Sequence, residues 1–221
     1  MTAAWIETTR QFVETQMKGD HTGHDWWHVY RVWRTAIHLM NLEISAGKHI
    51  DPLVVELAAL LHDVWDHKAY GGDETIAPRE VRRYLEQLGV DEARTDHIVT
   101  IIKDLSFKGA GVATPMHSHE GMIVQDADRL DAIGAVGIAR TFAYGGAKGR
   151  AIYDPKIAPD AHQDFDRYKN STAPTLNHFY EKLLLLKDRM NTDAAKQTAI
   201  ERHAFMEQFL KRFYDEWEGE A

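Results

Sequence analysis

The chain contains no cysteine. That excludes a disulfide framework, a thiolate metal site and a cysteine nucleophile. It has no run of about 20 apolar residues, the length needed to cross a bilayer as a helix. The N-terminal stretch MTAAWIETTRQFVETQMKGD lacks the apolar core of a secretory signal, so a cytoplasmic protein with no membrane partner is expected. Net positive charge is also missing: the formal charge is −8, and an acidic surface repels a nucleic-acid backbone. A nucleic-acid polymer is therefore not an expected partner. A small anionic substrate is still compatible, because a metal ion and a few local cations outweigh a distant field. No internal repeat, low-complexity segment or convincing strand alternation is visible.

What is present is helical periodicity over a 44% apolar composition, enough for a full core. Trp5, Ile6, Thr9, Phe12, Val13 and Gln16 recur at helical spacing over 3–17. Asp25 is placed to cap a second helix carrying Val29, Val32, Trp33, Ile37 and Met40, which Gly47 ends. Asp51-Pro52 is a start signal, an N-cap acid followed by proline at the first helical position. The helix it opens, LVVELAALLHDVW, is apolar on nearly every side and is expected to be the buried centre of the fold. Pro78 and Gly89 bracket a fourth helix, and Asp91 caps a fifth through Ile98, Ile101 and Ile102. One helix is expected over about 119–142 and an irregular stretch over about 144–172. Pro174 opens a helix through HFYEKLLLLKDRM, and Thr192 caps a last helix to about Trp217.

Histidine and aspartate concentrate in the first 131 residues. His62-Asp63 sits at the end of the apolar helix, where ionisable groups are costly unless they are paired or bind a metal. His28 lies in the first turns of the aromatic segment HDWWHVYRVW. Asp126, Asp128 and Asp131 are dense for a mostly apolar segment and point to a cation nearby.

The order His28, then His62-Asp63, then Asp128 resembles the HD superfamily of metal-dependent phosphohydrolases. The strings GHDWWHVYRV, ALLHDVWDHK and VQDADRLDAIGAVGIARTF are similar to the bacterial YpgQ/YedJ-like branch, and the similarity continues through NHFYEKLLLLKDRM. The resemblance implies an all-α HD-domain helical bundle with a C-terminal helical extension. It implies a single domain with its core over about 20–142 and C-terminal helices over about 174–217. It further implies one divalent ion (Mn²⁺, Mg²⁺, Fe²⁺, Co²⁺ or Ni²⁺) held by His28, His62, Asp63 and Asp128. Two imidazoles and two carboxylates suit such ions in an octahedron with open positions.

Asp66, one turn past His62, is expected to move a proton or orient water, with Asp63 beside it in catalysis. Arg31, Lys68, Lys103, Arg129, Lys148 and Arg150 are the candidates for contacting substrate phosphate. The substrate class implied is a small phosphorylated metabolite, a nucleotide in the first instance, with nucleoside triphosphate pyrophosphohydrolysis as the branch's activity; a homodimer is compatible with all of this. Two other readings stand beside it. The extra histidines His97, His117 and His119 could complete a di-iron oxygenase centre, or the site could be a nucleotide sensor without turnover.

Overall fold

The computed structural model describes residues 2–18, 25–65, 73, 75–105, 114–160 and 172–220. Among them are nine α-helices, one 3-10 helix and no strand, so the fold is all-α. No helix of the described residues is long and apolar enough to cross a membrane. The described residues group into two compact units, 2–105 with 114–127, and 128–220.

The first unit holds α1 (Thr2–Gln16), α2 (Trp26–Ser45), α3 (Pro52–Leu61), α4 (Ile76–Leu88), α5 (Glu92–Asp104) and the start of α6 (His119–Asp131). Its centre is α3, which packs against α1, α2 and α5. Leu53, Val54, Val55 and every residue from Leu57 to Leu61 are buried. Burying each of the larger side chains contributes about 1.5–3 kcal/mol. The one polar residue inside that run, Glu56, is half-buried and accepts the Trp33 indole N–H at 3.0 Å. Burial raises its carboxyl pKa, and the Trp33 hydrogen bond and Arg34 oppose the rise. Side-chain caps start three of these helices: Asp25 accepts from His28 N, Asp51 from Leu53 N, and Asp91 from Arg94 N. Glycines at positive φ, Gly47 and Gly89, follow α2 and α4.

The second unit holds the end of α6, α7 (Gly134–Ala147), α8 (Asn177–Glu181), the 3-10 helix (Leu183–Arg189) and α9 (Asp193–Trp217). The last helix packs on α7 and on the 3-10 segment. Phe179, fully buried, stacks on Phe209 at 5.8 Å, and Phe142 closes on both rings.

Several boundaries differ from the sequence expectation. The helix expected to run through His62-Asp63 to Trp65 ends at Leu61, with turns over 62–65. The helix expected over 119–142 is two helices, α6 and α7, separated at Ala132-Ile133. Gly134 takes φ +78, a conformation side chains disfavour, and a Cβ there would meet Arg202 Cγ at 3.0 Å. The irregular stretch begins later than residue 144, because α7 continues through Gly145 and Gly146 to Ala147. The helix expected after Pro174 is the short α8 followed by a 3-10 helix. Leu183 and Leu186, three apart, are both buried, and the three-residue turn of a 3-10 helix puts i and i+3 on one face.

Candidate metal centre

Three helices deliver the site. His28 is on the first turn of α2, 2% exposed, and its backbone N–H is held by the Asp25 carboxylate at 3.0 Å. His62 occupies the C-cap of α3, directly after the last buried leucine. Asp128 is on α6, a continuous helix that begins in the first unit, one residue past Ala127. His28, His62 and Asp128 each offer a ligand atom within 4.8 Å of the others. Among the described residues this is the one group of histidine, cysteine and acid side chains so arranged.

The ring orientations suit a cation. His62 Nδ1 lies 2.8 Å from the Ala59 carbonyl oxygen, which can only accept, so Nδ1 carries the proton. In the neutral ring this leaves the Nε2 lone pair, and that atom stands 3.3 Å from His28 Nε2. The rings meet nearly edge to face, with centroids 5.2 Å apart. Donors about 2.1 Å from one octahedral ion lie about 3.0 Å apart when adjacent and about 4.2 Å when opposite. The histidine pair has the adjacent spacing, and Asp128 offers an oxygen within 4.8 Å of both rings' donors, a reach that includes the opposite spacing. An outer hydrogen bond that fixes the tautomer of a ligating imidazole, as Ala59 does here, is the usual companion of such a ligand. The donors present therefore fit a divalent ion.

Asp63 is not in the group of three, but its Oδ2 lies 3.8 Å from His28 Nε2 and is shut off from solvent. On the same helix as Asp128, Asp126 is fully buried, and buried Asp131 pairs with Arg140 at 2.7 Å. Those two acids account for much of the acidic density seen in the sequence without adding to the group of three.

The remaining sequence candidates are spread over the chain. Asp66 and Lys68 lie outside the described residues. Arg31 is half-buried on α2, one turn past His28, on the adjoining stripe of that helix. Lys103 is exposed in the last turn of α5. Arg129 is buried and donates to the Arg189 carbonyl, a role that holds backbone. Lys148 and Arg150 flank the Tyr144 ring, each 5.7 Å from its centroid. His97 hydrogen-bonds Ser118 at 2.8 Å, while His117, just before α6, and His119, its first residue, are both exposed. Sequence reasoning did not find the Ala59 carbonyl, because a backbone acceptor leaves no mark in residue type.

The family model of the HD domain matches residues 28–133, from the first histidine of this site to just beyond its aspartate. The chain is 40% identical over 207 residues to the uncharacterized protein YpgQ of Bacillus subtilis, covering 93% of this chain and 90% of that protein. It is similar to the crystal structure of an HD-superfamily hydrolase from Bacillus thuringiensis, with 45% identity and TM-score 0.76 over 99% of this chain and 100% of that one. It is also similar to the crystal structure of Bacillus subtilis YpgQ in complex with ADP, with 36% identity and TM-score 0.75 over 98% and 97% of the two chains. By its sequence, its fold and the order of its site residues, the chain belongs to the HD-domain family, with the fold of the HD-superfamily hydrolases.

Proposed function

We propose that the chain is a metal-dependent phosphohydrolase of small phosphorylated metabolites, and that its substrate is a nucleoside triphosphate cut to a monophosphate and pyrophosphate. The observation that carries this reading is the convergence of His28, His62 and Asp128 around one point. A relative that covers almost the whole chain crystallises in complex with ADP, which supports a nucleotide ligand. In this reading His28, His62, Asp63 and Asp128 hold one divalent ion, with Mn²⁺, Mg²⁺, Fe²⁺, Co²⁺ and Ni²⁺ all suited to the mixed nitrogen and oxygen donors. The ion supplies Lewis acidity to a phosphoryl oxygen and makes water a better nucleophile at neutral pH.

The chain's own groups do the rest. Water adds to the α-phosphorus, the bond from that phosphorus to the bridging oxygen breaks, and pyrophosphate leaves with the bond's electron pair. Asp66 takes the proton from the water. Arg31, on the stripe of α2 beside His28, meets a phosphate oxygen. Lys68, Lys103, Lys148 and Arg150 are the further candidates for the polyphosphate. Arg129 contributes through the backbone it holds.

The test is a screen of nucleoside triphosphates, diphosphates and phosphoesters with each of the five ions, with Asp63→Ala as control. Pyrophosphate release from at least one triphosphate is expected. Metal assistance is worth several kcal/mol, so Asp63→Ala should lower the rate on the order of a hundredfold or more. Undiminished activity in Asp63→Ala, or no hydrolysis with any ion, overturns the reading.

A further inference from the structure

Glu120 makes contacts that its own helix does not require. It lies in the first turn of α6, and its side chain is only 12% exposed. Oε1 accepts the backbone N–H of Asp51 at 2.9 Å, across 69 residues of sequence. Asp51 is the N-cap of α3, so this N–H belongs to the start of the helix that ends in His62. The other oxygen, Oε2, is 3.8 Å from His97 Nε2 on α5. His97 in turn hydrogen-bonds Ser118, whose Oγ accepts the Gly121 N–H at 3.1 Å and so caps α6. The Asp51 carboxylate is spoken for elsewhere, by Leu53 N and by Arg94 at 2.7 Å. One carboxylate thus stands at the N-termini of two helices, where a negative charge is favoured by both helix dipoles.

We infer that Glu120 is a positioning residue: it ties the start of α3 to the start of α6 and so sets the axial register of the helices that deliver His62 and Asp128. This rests on the metal centre proposed above. At about 1.5 Å of rise per residue, Asp128 is about 12 Å along α6 from Glu120, and His62 is about 16 Å along α3 from Asp51. A helix is stiff over such lengths. A slip of 1 Å at the tied ends therefore reappears as about 1 Å between the ligands, roughly a third of the spacing of adjacent donors around one ion. Groups hydrogen-bonded directly to a ligand typically carry 10–100-fold in metal affinity, and a tie that acts through two helices is expected at the low end of that range.

The experiment is Mn²⁺ binding to the metal-free full chain by calorimetry, with the melting temperature of each metal-free variant measured alongside. Glu120→Ala is expected to weaken Mn²⁺ about tenfold. Glu120→Gln keeps an oxygen for the Asp51 N–H and is expected to bind close to wild type. Glu92→Ala removes an exposed acid from the first turn of α5 and is expected to leave binding unchanged. Should Glu120→Ala not fold, Glu120→Asp, one methylene too short to reach Asp51, takes its place with the same expectation. A lowered melting temperature with unchanged Mn²⁺ affinity would make Glu120 a stabiliser only and overturn the inference, as would a Gln variant as weak as the Ala variant. Absence of Mn²⁺ binding by the wild type would instead remove the metal centre, and this inference with it.

Discussion

The two units begin their helices by different means. In the first, Asp25, Asp51 and Asp91 each turn a carboxylate onto a backbone N–H two or three residues ahead, and only α4, starting at Thr75, lacks a side-chain cap among its helices with a described start. In the second, α7 and α8 start at Ile133 and Leu176 with no side-chain cap, and among its helices only α9 has one, from Thr192. Close approach takes the place of caps there. A Cβ on Gly145 would lie 2.1 Å from Thr175 Oγ1, thirty residues on, and Gly134 is pressed against Arg202. Polar groups are also enclosed: the Arg202 guanidinium donates to the Leu130 carbonyl, and burial lowers its pKa. The difference teaches where a substitution will be felt. A cap is a local contact whose loss costs about 1 kcal/mol and stays local. A close approach couples distant segments, and its failure moves both of them.

Acid should widen this difference most. His178 keeps an exposed edge, yet the ring is packed densely enough that burial lowers its pKa to about 3, with Lys182 and Arg150 adding to the fall. Below its ordinary value of 6.5 the unfolded chain takes up a proton that the folded chain refuses until about 3. Stability from this group is therefore full above 6.5 and is lost as pH falls toward 3, by up to about 1.4 kcal/mol per pH unit. Melting curves of wild type and His178→Gln across that range should diverge, with the wild type falling faster. Parallel curves would remove His178 from the account.

Next in size is Gly145→Ala, which should destabilise by about 1–3 kcal/mol despite the better helix propensity of alanine, a fall of about 2–10 °C in melting temperature. Gly146→Ala, beside it in the same helix with nothing within 4 Å of a new Cβ, should instead be neutral or gain up to about 1 kcal/mol. Equal effects at the two glycines would remove close approach from the account of the second unit. A loss smaller than that at Gly145 is expected on the other side of the comparison: Asp91→Ala, which removes the cap of α5, should cost about 1 kcal/mol, or about 2–4 °C.

The same contrast explains what could be read from residue order. Asp51-Pro52, Gly89, Asp91 and Thr192 mark helix boundaries because each acts on backbone within a few residues of itself. The break between α6 and α7 was hidden, since Ala132, Gly134 and Gly137 are equally at home in one closely packed helix. The run LLLLKDR looks like any apolar helix until its burial at three-residue spacing is known. In the candidate site, His28, His62 and Asp128 could be picked out because the family motif carries them. Glu120 could not, because its partner is a backbone N–H 69 residues away and no side chain advertises it. Arg129, a phosphate candidate by residue type, donates to the Arg189 carbonyl, a backbone partner that residue order likewise does not mark.

His62 stands at the C-cap of α3, just where the fully buried helix gives way to turns. A ligand placed there has packed leucines behind it and is turned by the Ala59 carbonyl, 2.8 Å from its Nδ1. A divalent ion arriving there would meet an imidazole already turned toward it, so little reorganisation of the ring would accompany binding.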